Sequence, residues 1–225
     1  MFSKPKAIRK MKNIGVPIFA IDFEGSRKLG VVEYGIAEIS GGKIASARTR
    51  ICAPKTKIGA RDAEFFGIDN TRACAMPPFS DDLPMFCELR ARGVFASHNA
   101  SVEDSLLRAE LPTPGVCRNF SSGREGGEWG PWIDTCALSK NIFPDLPSAK
   151  LSDMIAAFSL GGELEREAAA HCPERRSKWH CALYDAVAAA LLLIKICSLD
   201  GFEEVGLPWL LKYSGNRESG QETLF

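Results

Sequence analysis

The chain has 225 residues, with 28 Lys plus Arg balanced by 28 Asp plus Glu, and is 45% hydrophobic and 25% charged. These values are ordinary for a soluble globular protein of one large or two small domains. They exclude a globally basic nucleic-acid binder, so any polyanion site must come from a local patch.

Residues 1–16 form a basic N-terminal segment, "MFSKPKAIRKMKN" leading into "IGV". The apolar run that follows resembles a signal-peptide core, but Asp22 and Glu24 cut it short and no small-residue cleavage site follows. Ala186–Cys197 is too short to span a bilayer and contains Lys195. The expectation is a cytoplasmic protein without a membrane span.

Residues 17–22, "PIFAID", read as a buried strand, and 31–39, "VVEYGIAEI", as a second. Gly41–Gly42 signals a turn into a returning strand, "KIASARTRICAP", which completes an antiparallel meander. Residues 55–78 read as a polar connection around "FFGIDN". "FSDDLPMFCELRARG" reads as a helix capped by Ser80 and ended by Gly93. "VFASHN" is a short strand, and "SVEDSLLRAEL" has helical periodicity. The Gly-rich 121–131 reads as a loop, "WIDTCAL" as a strand entering a helix, and "SAKLSDMIAAFSL" as a helix closed by Gly161–Gly162. Residues 180–199 form a long apolar helix, and the chain is polar from Tyr213 onward. The order βββαβαβαα predicts one α/β domain with a mixed sheet, a meander plus parallel strands flanked by helices.

The eight cysteines show no CxxC spacing and predict no disulfide framework. "HCPERRSKWHC" pairs two His with two Cys at a spacing that fits no zinc pattern.

Acidic residues recur where apolar elements end. Asp22 and Glu24 close the first strand and, two residues apart, share one face while Phe23 points to the other. Two such charges repel unless something positive lies between them. Glu103 and Asp104 open a helix, and Asp185 interrupts "ALYDAVAAALLL", where an unpaired charge is expensive. A water-solvated strand end accounts for Asp22 and Glu24, and a cap, a solvent-facing position or a nearby Arg for Asp185. Shared divalent cations account for all three cases at once, because Mg²⁺ takes oxygen ligands and keeps room for substrate phosphates.

"FAIDFEGS", "ASHNASVED" and "HCALYD" resemble the three motifs of the DEDDh 3′–5′ exonucleases. That superfamily includes the proofreading subunit of bacterial replicative polymerases, RNase T and oligoribonuclease. "FGID" and "IDTCALSKNIFP" add support, and the resemblance runs from about residue 17 to 197 within a domain of 17–212. It implies an RNase H-like fold and hydrolysis at nucleic-acid 3′ ends assisted by two Mg²⁺ or Mn²⁺ ions. It also implies Asp22, Glu24 and Asp185 as metal ligands and His180 as general base. A histidine suits proton abstraction because its unperturbed pKa lies near neutrality.

The second motif departs from the family's "HNAxFD". Here "HNASVE" puts Glu103 at the ligand position, in a register supported by Leu106–Leu107, with Asp104 as the alternative. His98 and Asn99 are expected to satisfy backbone groups at a strand-to-helix corner, and Asn99 to touch substrate. Arg175, Arg176 and Lys178 in "PERRSK" stand ready for phosphates or form a solvated loop. Phe23 is expected in the core by strand parity, whereas Phe65 and Phe66 are open between core and base stacking.

The tail 213–225 ends in "QETLF", which resembles the peptide that docks bacterial replication and repair proteins on the sliding clamp. It offers Leu224 and Phe225 as apolar anchors and Gln221 for hydrogen bonding. Three readings follow: a DNA exonuclease, favoured by this tail; an exoribonuclease; and a non-catalytic nucleic-acid or clamp-binding module.

Overall fold

The computed structural model describes residues 14–202 and 205–215. Strands β1 (Ile18–Ser26), β2 (Gly30–Ser40) and β3 (Lys43–Ile51) form the expected antiparallel meander. Strands β4 (Val94–Ser97) and β7 (Trp132–Asp134) extend it in parallel, giving the order β3-β2-β1-β4-β7. Two residues each of β5 (Cys117–Arg118) and β6 (Glu125–Gly126) make a separate small hairpin. The mixed α/β architecture expected from the sequence is the one observed.

Parity divides the core. Ile18 and Ala20 of β1 pack beneath helix α8 (Ala182–Ser198), together with Ala37, Ile39, Val94 and Ala96. Phe19, Ile21 and Phe23 face the opposite layer. There the Phe23 ring lies 5.6 Å from both Phe79 and Phe86, so it is a core residue, as parity requires. Asp22 and Glu24 therefore emerge on the α8 face, beyond its last apolar layer. Helix α8 comes unusually close at β2: a Cβ on Gly35 would lie 2.3 Å from the Ala182 backbone. Gly35 pairs with Asp22, so this glycine lets the helix end descend beside the first acidic residue.

Several local expectations need correction. β1 continues to Ser26 because its pairing with β2 runs past Asp22 to a bulge after Glu24. The connection 55–78 contains helices α1 (Ala60–Phe66) and α2 (Asn70–Cys74), with Asp69 capping the second through the Arg72 N–H. Ser80 caps nothing: a 3₁₀ turn over Phe79–Asp82 precedes α3 (Leu83–Arg92), where Pro84 sits in the first turn and needs no N–H partner. Gly161–Gly162 does not end a helix. α6 (Leu151–Ala157) stops earlier, and the two glycines open α7 (Gly161–His171). Helices α4 (Ser101–Glu110), α5 (Thr135–Ile142) and α9 (Leu207–Tyr213) complete the set. All eight cysteines are free. No helix among the described residues is long and apolar enough to cross a membrane.

Candidate active site

The carboxyl groups meet where β1 leaves the core, under the first turn of α8 and the first turn of α4. Asp22 is half-buried, while Glu24 and Glu103 are 7% and 4% exposed. Asp185 accepts the His180 backbone N–H at 3.0 Å through Oδ2. Its Oδ1 is buried with no partner, as is Oε2 of Glu103. The buried Ser97 Oγ beside Glu103 is likewise without a hydrogen-bond partner in good geometry. Buried polar oxygens are almost always satisfied in native proteins, so such a cluster suits an added ligand.

The electrostatics agree. Burial raises Asp22 well above the ordinary carboxylate range, and the charges of Glu103, Asp185, Glu24 and Glu33 raise it further. Burial pushes Glu24 up to about 8, with Asp185 and Glu33 adding and the Arg176 guanidinium partly opposing. Burial likewise takes Glu103 to about 8. It takes Asp185 to about 7 even though the His180 N–H favours its charged form. Like charges sharing a desolvated site do this when no cation separates them.

Asp104 does not join the cluster. One of its oxygens accepts the Trp132 indole N–H at 2.9 Å, and the other pairs with Arg108 at 2.6 Å. One residue of helix rotation turns it about 100° round α4 from the Glu103 position. Of the two open registers, the structure brings Glu103 to the acidic floor.

His180 is exposed and adopts a left-handed backbone (φ 63°) just ahead of α8. A ring nitrogen of His180 and carboxylate oxygens of Glu24 and Asp185 all lie within 4.8 Å of one another. Asp22 and Glu103 stand outside that tight set but couple to it electrostatically. The His180 ring stacks on Phe65 with centroids 4.1 Å apart and planes tilted by 36°. The adjacent pair is thereby split, with Phe65 54% exposed beside the site and Phe66 7% exposed in the core. His171, Cys172 and Cys181 do not gather with His180 into a zinc site among the described residues.

A cleft of about 600 Å³ opens above Asp22 and Asp185. Trp179 and His180 form one wall, and His98, Asn99, Lys150, Leu151 and Ser152 form the other. His98 holds the second wall. Its Nε2 lies 2.8 Å from the Ala149 carbonyl, which only accepts, so Nε2 carries the proton and Nδ1 accepts from Thr135 Oγ1 at 2.9 Å. Burial lowers the His98 pKa and keeps that ring neutral. Asp134 secures the corner by accepting from the backbone N–H groups of Asn99, Ala100, Cys136 and Ala137 at 2.9–3.1 Å.

The three basic residues ahead of His180 part company. Arg175 and Lys178 are exposed. Arg176, expected at substrate phosphates, is 3% exposed and turned inward. It donates to Glu33 Oε1 at 3.0 Å, ion-pairs with Glu33 Oε2, and donates to the Phe66 carbonyl at 2.7 Å. Its guanidinium fork matches a buried carboxylate and two carbonyls better than a loop surface would. Sequence reasoning missed Glu33, Gly35, Trp179 and Lys150. Glu33 alone carried a signal, as an acid within the apolar run "VVEYGI". The N-terminal basic segment through residue 13 and the tail residues Gln221, Leu224 and Phe225 lie outside the described residues.

No protein-family model matches the chain, and neither does any curated protein sequence. Solved structures do. Exonuclease X in complex with 5′ overhanging duplex DNA aligns with a TM-score of 0.64 at 20% identity, over 88% of this chain and 99% of that one. A 3′-exonuclease solved for 3′-end recognition of a histone mRNA stem-loop aligns at 0.60 and 14% identity, over 84% and 65%. E. coli Exonuclease I with a dT13 oligonucleotide aligns at 0.55 and 14%, covering 80% of this chain but only 40% of that one. The chain thus has the RNase H-like fold of these exonucleases, as its three motifs imply.

Proposed function

We propose that this protein is a metal-dependent 3′–5′ exonuclease that cleaves the terminal phosphodiester bond of a nucleic acid and releases nucleoside monophosphates. The observation that carries this reading is the pair of buried, unpartnered oxygens of Glu103 and Asp185 in a floor of four carboxyl groups. That donor set suits hard divalent cations, so Asp22, Glu24, Glu103 and Asp185 would hold two Mg²⁺ or Mn²⁺. When bound, such a pair supplies the positive charge that favours both the attacking and the leaving oxygen in phosphoryl transfer.

The chain's own groups do the rest. His180 stands over the carboxyl groups, exposed to water, where it accepts the proton of the attacking water. Arg175 and Lys178 are solvent-facing cations beside it for the incoming phosphates, and Asn99 lines the opposite wall.

DNA is the preferred substrate in this reading, and RNA the second. The fold's neighbours include proteins solved with DNA and one solved for an mRNA stem-loop. Function lives in the site rather than the scaffold, so the test is direct. Labelled single-stranded DNA and RNA are digested side by side with Mg²⁺, Mn²⁺ or EDTA. Mononucleotides appearing from the 3′ end, faster with DNA and abolished by EDTA, are expected. Absence of cleavage of either polymer rejects the proposal, and RNA preference selects the exoribonuclease.

The terminal "QETLF" is part of the same proposal as a docking peptide for a sliding clamp. Apolar anchors of this kind commonly cost more than about 1 kcal/mol each on truncation. Leu224→Ala with Phe225→Ala should abolish binding to purified clamp without changing hydrolysis of short oligonucleotides. Wild-type protein that fails to bind the clamp refutes it.

A further inference from the structure

Glu33 and Arg176 form a buried ion pair, their side chains 3% and 4% exposed. Such a pair is weak evidence for stability, because desolvating two charges offsets most of their attraction. Its connections suggest a different role. Glu33 stands on β2 directly opposite Glu24 and accepts the Ala182 N–H at 3.0 Å, capping the start of α8 in place of an N-cap side chain. Arg176 lies four residues before His180, and Ala182 two after it. One carboxylate thus grips both flanks of the segment that carries the histidine. Arg176 also holds the Phe66 and Gly67 carbonyls at 2.7 and 3.3 Å. The residue before them, Phe65, supplies the ring on which His180 stacks.

The segment between α7 and α8 needs such a grip. It contains two non-glycine residues in the left-handed region, Arg175 (φ 66°) and His180 (φ 63°). Conformations of that kind persist only where the surroundings over-determine them. The His180 ring itself is exposed and has no core packing to fix it.

We propose that Glu33 and Arg176 are positioning residues. As a latch, they set Phe65 and His180 against each other and hold both over the carboxyl floor. The kinetic part of this inference rests on the exonuclease reading, but its structural part does not. Misplacing a reacting group by about 1 Å can cost about 10² in rate. Loss of the latch should therefore lower kcat by about that factor while KM changes little.

Removing one partner strands a buried charge and endangers folding, so the informative variant is the apolar pair Glu33→Leu/Arg176→Met, which such sites often tolerate. Arg176→Lys keeps the charge facing Glu33 but not the arm to the Phe66 carbonyl, and should fall between wild type and the double variant. Two measurements on the full-length protein decide the matter: amide hydrogen exchange, and steady-state hydrolysis of a single-stranded oligonucleotide with Mg²⁺. The expected result is faster exchange at residues 177–182 with β1 and β2 still protected, together with the loss in kcat. A folded double variant with wild-type exchange in that segment, or with unchanged kcat, overturns the latch. A loss confined to KM would assign Arg176 to substrate phosphates instead and equally overturn it. If wild-type protein cleaves nothing, the exonuclease reading falls, and exchange alone judges the latch.

Discussion

Glu24 and Glu33 face each other across β1 and β2, both almost fully buried, yet they have opposite surroundings. Glu33 has a guanidinium and a helix N–H. Burial drives the Glu24 carboxyl up to about 8, with Asp185, Glu33 and Glu103 adding and Arg176 partly opposing. The same residue type at the same depth is ion-paired in one case and crowded by like charge in the other. The protein can bury and pair a carboxylate here, yet Glu103 and Asp185 on the neighbouring elements each keep a buried oxygen without a partner. The paired acid belongs to the scaffold, and the others are the donor set of the proposed metal site.

The largest effect should come from the crowded side. Asp22→Ala or Asp185→Ala should bring turnover to background, as should EDTA, without unfolding the protein. Glu103→Ala should be as damaging, because Glu103 supplies one of the orphaned oxygens. Asp104→Ala should be mild, because both of its oxygens are engaged by Trp132 and Arg108 rather than by the carboxyl cluster. Rates measured at saturating Mg²⁺ would refute the contrast if Asp22→Ala stayed active or the Glu103 and Asp104 ranks were reversed.

The next effect concerns the residue that both regions share. His180 is tied to the crowded side through Asp185 and to the paired side through the segment that Arg176 anchors. His180→Ala should slow the chemical step by about 10²–10⁴-fold, leaving metal affinity and substrate binding nearly intact. Single-turnover rates against pH check this. If the variant keeps the wild-type profile and rate, His180 is not the base.

How legible each region was follows from how far its signal reaches along the chain. The unpaired acids announced themselves locally, because each breaks an apolar pattern of strand or helix. Parity put Asp22 and Glu24 on one face and Phe23 on the other, as observed. The Leu106–Leu107 register favours Glu103 over the alternative Asp104, and both leucines are buried. The paired acid was nearly silent. Arg176 is one of three similar cations in "PERRSK", and what draws it inward is a carboxylate 143 residues away. Phe65 and Phe66 read alike, and only the packing of α1 sends one into the core and the other to His180. Gly35 has no local reason to be a glycine within β2; the reason is the Ala182 backbone packed against it from a distant segment. Local pattern thus displayed the chemistry, whereas the supports that aim it come from pairings between distant segments.

The smallest effect tests the comparison through stability rather than rate. Glu24, Glu103 and Asp185 have folded-state pKa values near 7–8, above the roughly 4 of an unfolded carboxyl. Between those limits the folded protein binds more protons than the unfolded chain, so its metal-free stability must fall as pH rises. Each titrating group removes on the order of 1 kcal/mol per pH unit, and each kcal/mol lost lowers Tm by about 2–4 °C in a chain of this size. In EDTA, Tm should therefore decline steadily from about pH 5 to about pH 8. Divalent cation binds the deprotonated carboxylates, and by mass action it stabilises more as they ionise. Curves with Mg²⁺ and with EDTA should coincide at the acidic end and diverge as pH rises. Asp22→Asn relieves part of the crowding, so it should raise the EDTA curve near pH 8 and reduce its slope. A wild-type EDTA curve that is flat or climbs across this range would mean that the four carboxyl groups are as well compensated as Glu33. The contrast between the two faces of the β1–β2 pair would then disappear.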